Sequence, residues 1–206
     1  IWGDDSAAIE DEIKLLVKNY VEQAWHSFNF SRLEGTDNGQ AIKALEEIRT
    51  SPLGSGGRVV VLQNSPFCNA CPSELAERFS SLLNLISESN HLILINSNKP
   101  DGRLKTTKTL QKLVKSNKAS EKSFLLPTIW DNAGQLLLVE RTANTLGVNL
   151  DQDAAIAMVE AIGSDSTRLR SELEKLAIHA EANQQNSFNT KEKKIITAES
   201  VNALIV

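Results

Sequence analysis

Two uninterrupted aliphatic runs, Val59-Val60-Val61-Leu62 and Leu92-Ile93-Leu94-Ile95, constrain this chain more than any other feature. A strand with one wet face alternates apolar and polar residues, whereas a run without alternation fits a strand covered on both faces. Between the runs, residues 72–86 place Leu75, Phe79, Leu82, Leu83 and Ile86 at helical spacing. Strand, helix, strand predicts a parallel βαβ unit with a right-handed crossover, and a parallel sheet needs helices on both faces. The sequence supplies them. Residues 6–23 carry Ala8, Ile9, Ile13, Leu16, Val17, Tyr20 and Val21 on one helical face, after the capping candidates Asp4, Asp5 and Ser6. Ile42, Leu45 and Ile48 predict a second short helix, stopped by Thr50-Ser51-Pro52. Residues 31–39 read as a polar connection. A helix over 104–115 and the apolar run Phe124-Leu125-Leu126 extend an α/β pattern to about Pro127.

Beyond Pro127 the strand signals stop. Residues 136–146, 152–162 and 167–179 predict three consecutive helices, separated by Gly147-Val148-Asn149 and Gly163-Ser164-Asp165. Residues 181–194 hold almost no aliphatic side chains and predict a polar loop, followed by a last helical turn or two over 198–204. The 206 residues suit one larger domain with a small helical one attached, and 41% hydrophobic content supports packed cores. The longest aliphatic runs are four residues, far below the ~18 that a membrane span needs. The chain opens Ile1-Trp2-Gly3 without a basic leader segment, so a fragment or trimmed chain is expected. Two cysteines cannot form a disulfide framework, and a reducing cytoplasm is the expected location.

Four constellations bear on function. Cys68-Asn69-Ala70-Cys71 falls between a strand and a helix, where a thioredoxin-like protein keeps its redox pair, and Leu126-Pro127-Thr128-Ile129 resembles that family's proline loop. A thiol-disulfide oxidoreductase using Cys68 and Cys71 is therefore the rival reading, although Gln135-Leu136-Leu137-Leu138-Val139 continues more easily into a helix than a strand. No second CxxC or paired histidine completes a four-ligand zinc site, since His26, His91 and His179 are scattered. A P-loop is missing as well. Gly3-Asp4-Asp5-Ser6 offers one glycine, no lysine and two carboxylates that repel phosphate, while Gln63 and Asn64 stand where an ATPase carries acids. Gly54-Ser55-Gly56-Gly57 precedes a strand and reads as a plain loop. Neither ATP hydrolysis, a bound cofactor nor a metal is expected.

Charge is unevenly spread. The chain is −4 overall, yet residues 99–122 hold eight basic and two acidic residues, a local net of +6. Lys105, Lys108, Lys112 and Lys115 recur every three or four positions, opposite Leu110, Leu113 and Val114, and Lys99 and Arg103 precede them. Such a stripe suits nucleic-acid phosphates or a solvated helix face. Finally, Thr50-Ser51-Pro52-Leu53-Gly54 presents an apolar residue between a proline and a glycine. Leu53 either anchors a partner or folds back on Leu45 and Ile48.

In order along the chain, Trp2-Gly3-Asp4-Asp5, Ser51-Pro52-Leu53-Gly54 to Gly57-Arg58-Val59-Val60, Asn98-Lys99-Pro100-Asp101-Gly102-Arg103-Leu104-Lys105, Gly147-Val148 through Gly163-Ser164-Asp165 to Glu172-Leu173-Glu174-Lys175-Leu176, and Ile196-Thr197-Ala198-Glu199-Ser200-Val201 resemble the delta subunits of the bacterial DNA polymerase III clamp loader. The resemblance implies a degenerate AAA+ (P-loop NTPase-like) parallel-sheet domain over 1–129, which binds the sliding clamp, and an all-helical lid domain over 130–206. A C-terminal collar domain would follow. It further implies a subunit of a DNA-directed DNA polymerase (nucleotidyltransferase) complex with no catalytic site of its own. That subunit opens the clamp ring for loading onto primed DNA. The implied partners are the clamp (beta subunit), the gamma/tau and delta prime subunits, and primed DNA through the complex, with no membrane. Pro52 and Leu53 match the apolar pair that docks on the clamp, Gly54 standing where the family usually places a bulky apolar residue. Lys99, Arg103, Lys105, Lys108 and Lys112 become candidates for DNA or subunit contact.

Overall fold

The computed structural model describes residues 1–185 and 195–205, which divide into two compact units. The first comprises Ile1–Asp4 and Ala8–Phe124, the second Asp5–Ala7 and Leu125–Val206.

The first unit holds β1 (Trp2–Gly3), α1 (Ser6–Tyr20) from Ala8 onward, a single 3-10 turn (Gln23–Trp25), α2 (His26–Asn29), β2 (Phe30–Glu34) and α3 (Asn38–Glu47). It continues through β3 (Arg58–Gln63), α4 (Ser73–Leu82), β4 (Asn90–Leu94), α5 (Lys105–Lys115) and β5 (Ser123–Phe124). The strands β2, β3 and β4 pair in that order, all parallel, with Phe30 opposite Val59 and Val59 opposite His91. β1 pairs in parallel with β5, and a bridge between Trp2 and Asn96 connects this pair to the end of β4.

The unalternating run of β3 has the predicted cause. Val60 and Leu62 face a core with Ala41, Ala44, Leu45 and Ile48 of the α3 segment, Leu75 and Phe79 of α4, and Phe67, whose ring stacks on Phe79 at 4.1 Å. Val59 and Val61 face the other way, onto Ile9, Ile13 and Val17 of α1. All four β3 side chains are 0% exposed. Each such burial stabilises the unit by ~1.5–3 kcal/mol, so helices on both faces are energetically required once these residues form a strand.

Residues 31–39 depart from expectation. They are not merely a connection: Ser31 to Glu34 belong to β2, and α3 begins already at Asn38, where Asp37 accepts a hydrogen bond from Gly39 N at 2.7 Å. β2 pairs with one neighbour and is only half-buried, so Ser31, Arg32 and Glu34 are tolerated and no apolar period betrays the strand. The helix expected over 72–86 ends at Leu82 and passes into a 3-10 turn.

The second unit contains α6 (Asn132–Leu146), β6 (Asn149–Leu150), α7 (Gln152–Ile162), α8 (Ser166–Gln185), β7 (Ile195–Ile196) and α9 (Ala198–Leu204). Leu138, Val139 and Ala143 of α6, Ala154, Ala155 and Met158 of α7, and Leu169, Leu173 and Leu176 of α8 form its core with Ile196 and Val201. Asp131 and Asp151 cap α6 and α7, accepting from Gly134 N at 2.9 Å and Ala154 N at 2.7 Å. Two corrections apply. Strands do occur beyond Pro127, as the two-residue pair β6 and β7, too short for a periodic signal. The polar segment over 181–194 is helical as far as Gln185, and its remainder lies outside the described residues.

Candidate functional site

Residues 48–57 join α3 to β3 in a turn that is hydrogen-bonded at both ends. α3 leaves carbonyls at its end, and these are satisfied from β4: Asn90 Nδ2 donates to Ile48 O at 2.7 Å and to Thr50 O at 3.0 Å. At the far end, Arg58 reaches back, donating from Nη1 to Phe28 O at 2.9 Å and from Nη2 to Ser51 O at 3.4 Å. Gly57 N donates to Tyr20 O at 2.7 Å, and Ser55 hydroxyl donates to the Glu22 carboxylate. Gly57 is there because the chain passes so close to Ser89 O that a Cβ would stand 2.1 Å from it.

The middle of the turn is held by Asn29, which is fully buried. Its Nδ2 donates to Leu53 O at 2.9 Å, and Leu53 N donates to its Oδ1 at 2.8 Å. The backbone of Leu53 is thus bonded on both sides while 46% of the residue remains exposed. Leu53 is therefore displayed at the surface, whereas Leu45 and Ile48 are almost fully buried in the core. Pro52 is half-buried beside it. Gly54 takes a left-handed conformation, φ 69°, and lies against Trp25: a Cβ at this position would meet the indole Nε1 at 2.2 Å.

Behind the turn, Tyr20 stacks on His91 with ring centroids 3.6 Å apart. Burial holds the His91 imidazole below its ordinary pKa, because desolvation disfavours the charged ring.

The basic residues lie elsewhere on the unit. Lys105, Lys108, Lys112 and Lys115 occupy one exposed face of α5, while Thr106 and Thr107 are buried and Leu110 packs on the sheet core. Thr106 hydroxyl fastens the helix by donating to Phe67 O at 2.5 Å. Arg103 differs from the lysines. It pairs with Asp101 through Nη2 at 2.8 Å, and that hydrogen bonding pulls the Asp101 carboxyl down to about 2. Lys99, Lys105, Lys108 and Lys112 are exposed and enter no ion pair among the described residues.

The cysteines have the wrong surroundings for redox work. Cys68 is 5% exposed and closes a 3-10 turn, Pro66–Cys68, so burial pushes its thiol up to about 11. Cys71 is half-buried, with its thiol also raised by burial, and precedes α4 without capping it. An attacking thiol needs the opposite shift. The segment resembling a proline loop leads into α6 instead, anchored by Ser164 hydroxyl donating to Pro127 O at 2.7 Å. Between β1 and α1 stand only Asp4 and Asp5, leaving no loop to wrap a phosphate.

The family model for the DNA polymerase III delta subunit matches residues 1–121, more than half of the chain. The chain belongs to the DNA polymerase III delta subunit family. Its fold is similar to that of the Bacillus subtilis DNA clamp loader delta protein (YqeN), with a TM-score of 0.67 and 17% identity over 100% of this chain. The match covers 57% of the Bacillus protein, so the chain spans a little over half the length of that relative. No curated protein matches it in sequence. Within the delta family, then, the α/β fold places Pro52 and Leu53 on one braced turn and the lysines on a separate helix face. Sequence reasoning missed Asn29, Trp25, Phe28 and Arg58 as parts of that turn's frame. The available signal was a lone amide between two aromatics, Phe28-Asn29-Phe30.

Proposed function

We propose that this delta-family chain binds the sliding clamp through Leu53, assisted by Pro52, and opens the clamp ring for loading onto primed DNA. The supporting observation is the turn itself: an apolar side chain left half-exposed on a backbone that Asn29 bonds on both sides. A side chain displayed on a rigid backbone loses little further freedom when it enters a pocket, and burying the rest of Leu53 adds roughly 1 kcal/mol. Opening requires more than binding. A ligand shifts a ring between closed and open forms only by its differential affinity, so the Leu53 surface must fit the open form better.

On this reading residues 1–129 are the clamp-binding domain and 130–206 the lid, in a cytoplasmic loader with gamma/tau and delta prime subunits. The chain hydrolyses no ATP, and its lysine face on α5 meets DNA or a neighbouring subunit. The test is binding of purified chain to immobilised sliding clamp. Wild type binds and Leu53→Asp does not. Equal binding by both proteins overturns the assignment.

A further inference from the structure

Leu53 is not the sole apolar group displayed by this frame. Phe28, on the short helix α2, is 59% exposed, and its ring centroid lies 6.5 Å from that of Trp25 at a tilt of 56°. Scattered exposed apolar residues are ordinary on protein surfaces. These are bound into one unit with Leu53. The carbonyl of Phe28 accepts from Arg58 Nη1, and the same guanidinium donates to Ser51 O, two residues before Leu53. The next residue, Asn29, holds the Leu53 backbone. Trp25 lies against Gly54 so closely that the turn itself has no room for a second side chain there.

We propose that Phe28, backed by Trp25, is a second apolar anchor for the sliding clamp, completing the surface whose first anchor is Leu53. The inference rests on the clamp-docking reading above. The turn offers a single projecting apolar residue, Trp25 closes the Gly54 position to a second, and Phe28 is exposed on the neighbouring segment that helps to hold the turn. Aromatic side chains suit this role because they bury a large area with few rotatable bonds, and hydrogen bonding has already fixed the carbonyl and the following residue of Phe28. The occupant is the clamp because the two anchors share one frame: a pocket that takes Leu53 brings its rim against the residues that hold Leu53.

The full chain and the purified sliding clamp provide the test, by titration with Phe28→Ala, Phe28→Leu and Leu53→Asp beside wild type. Phe28→Ala is expected to weaken binding about tenfold, Phe28→Leu to restore most of it, and Leu53→Asp to abolish it. Thermal unfolding of Phe28→Ala is expected to match wild type, since the side chain is exposed. If Phe28→Ala binds within about twofold of wild type while Leu53→Asp fails to bind, the second anchor is overturned and the Leu53 docking reading stands. If Leu53→Asp binds like wild type, the docking reading falls and this inference falls with it.

Discussion

The Asn29 carboxamide pairs with both backbone groups of Leu53, at 2.8 and 2.9 Å, in the way a neighbouring strand would pair with a single residue. The pairing joins positions 24 apart in the chain and converts a proline-glycine turn into a fixed platform. It gives the first prediction. Asn29→Ala leaves a part-buried N–H and C=O without partners and is expected to cost about 1–3 kcal/mol, read as a lower urea midpoint. Asn29→Asp keeps an acceptor for Leu53 N but sets a carboxylate against Leu53 O, so it is expected to be no better. An unchanged midpoint in both variants would show that the platform stands without this residue.

The thiols should be inert in a defined order. Cys68, buried and pushed up to about 11, stays protonated at neutral pH, whereas Cys71 is the more accessible of the two. Alkylation followed by mass spectrometry on the native protein is expected to label Cys71 first and Cys68 only on unfolding. Replacing both with Ser is expected to leave clamp binding intact. Rapid labelling of Cys68 in the folded protein, or insulin reduction that depends on it, would revive the oxidoreductase reading.

For the α5 face, the expected effect is electrostatic. Lys105→Glu with Lys108→Glu alters two exposed residues outside the core, so the fold should persist. If both meet phosphates, DNA binding by the assembled loader weakens and the slope of log affinity against log salt falls by roughly two. A slope equal to wild type would make these lysines a solvated face.

Protonation of His91 should loosen the support behind the turn. Its folded pKa lies below the ordinary value of 6.5, so the unfolded chain takes up the proton more readily than the folded one. Stability is therefore complete above the unfolded value and declines as pH falls through it. Urea unfolding at about pH 7.5 and about pH 5.5 is expected to show a drop that His91→Gln reduces. A pH dependence identical in both proteins would assign the drop to other groups.

How much of this was legible beforehand follows from where each signal resides. The alternation-free runs of β3 and β4 and the helical spacing of α4, α5 and α7 are properties of neighbouring residues, so the α/β class and the helical unit could be read from the chain. The ordered motifs from Trp2-Gly3 to Leu104-Lys105 fall within the family match over residues 1–121, while those from Gly147 onward lie outside it. β2 was hidden because a half-buried strand accepts Ser31, Arg32 and Glu34. Leu53 was visible as a candidate, but its two possible fates were indistinguishable without knowing what held it.

The chain alone determined which segments must be covered, since the free energy of burying Val59 to Leu62 depends only on their apolar surface. Tertiary structure decided what stayed uncovered and why it stays in place. Asn29 reaches Leu53, Asn90 reaches Ile48 and Arg58 reaches Phe28 across separations of 24, 42 and 30 residues, and hydrogen bonds of that span leave no period in a sequence.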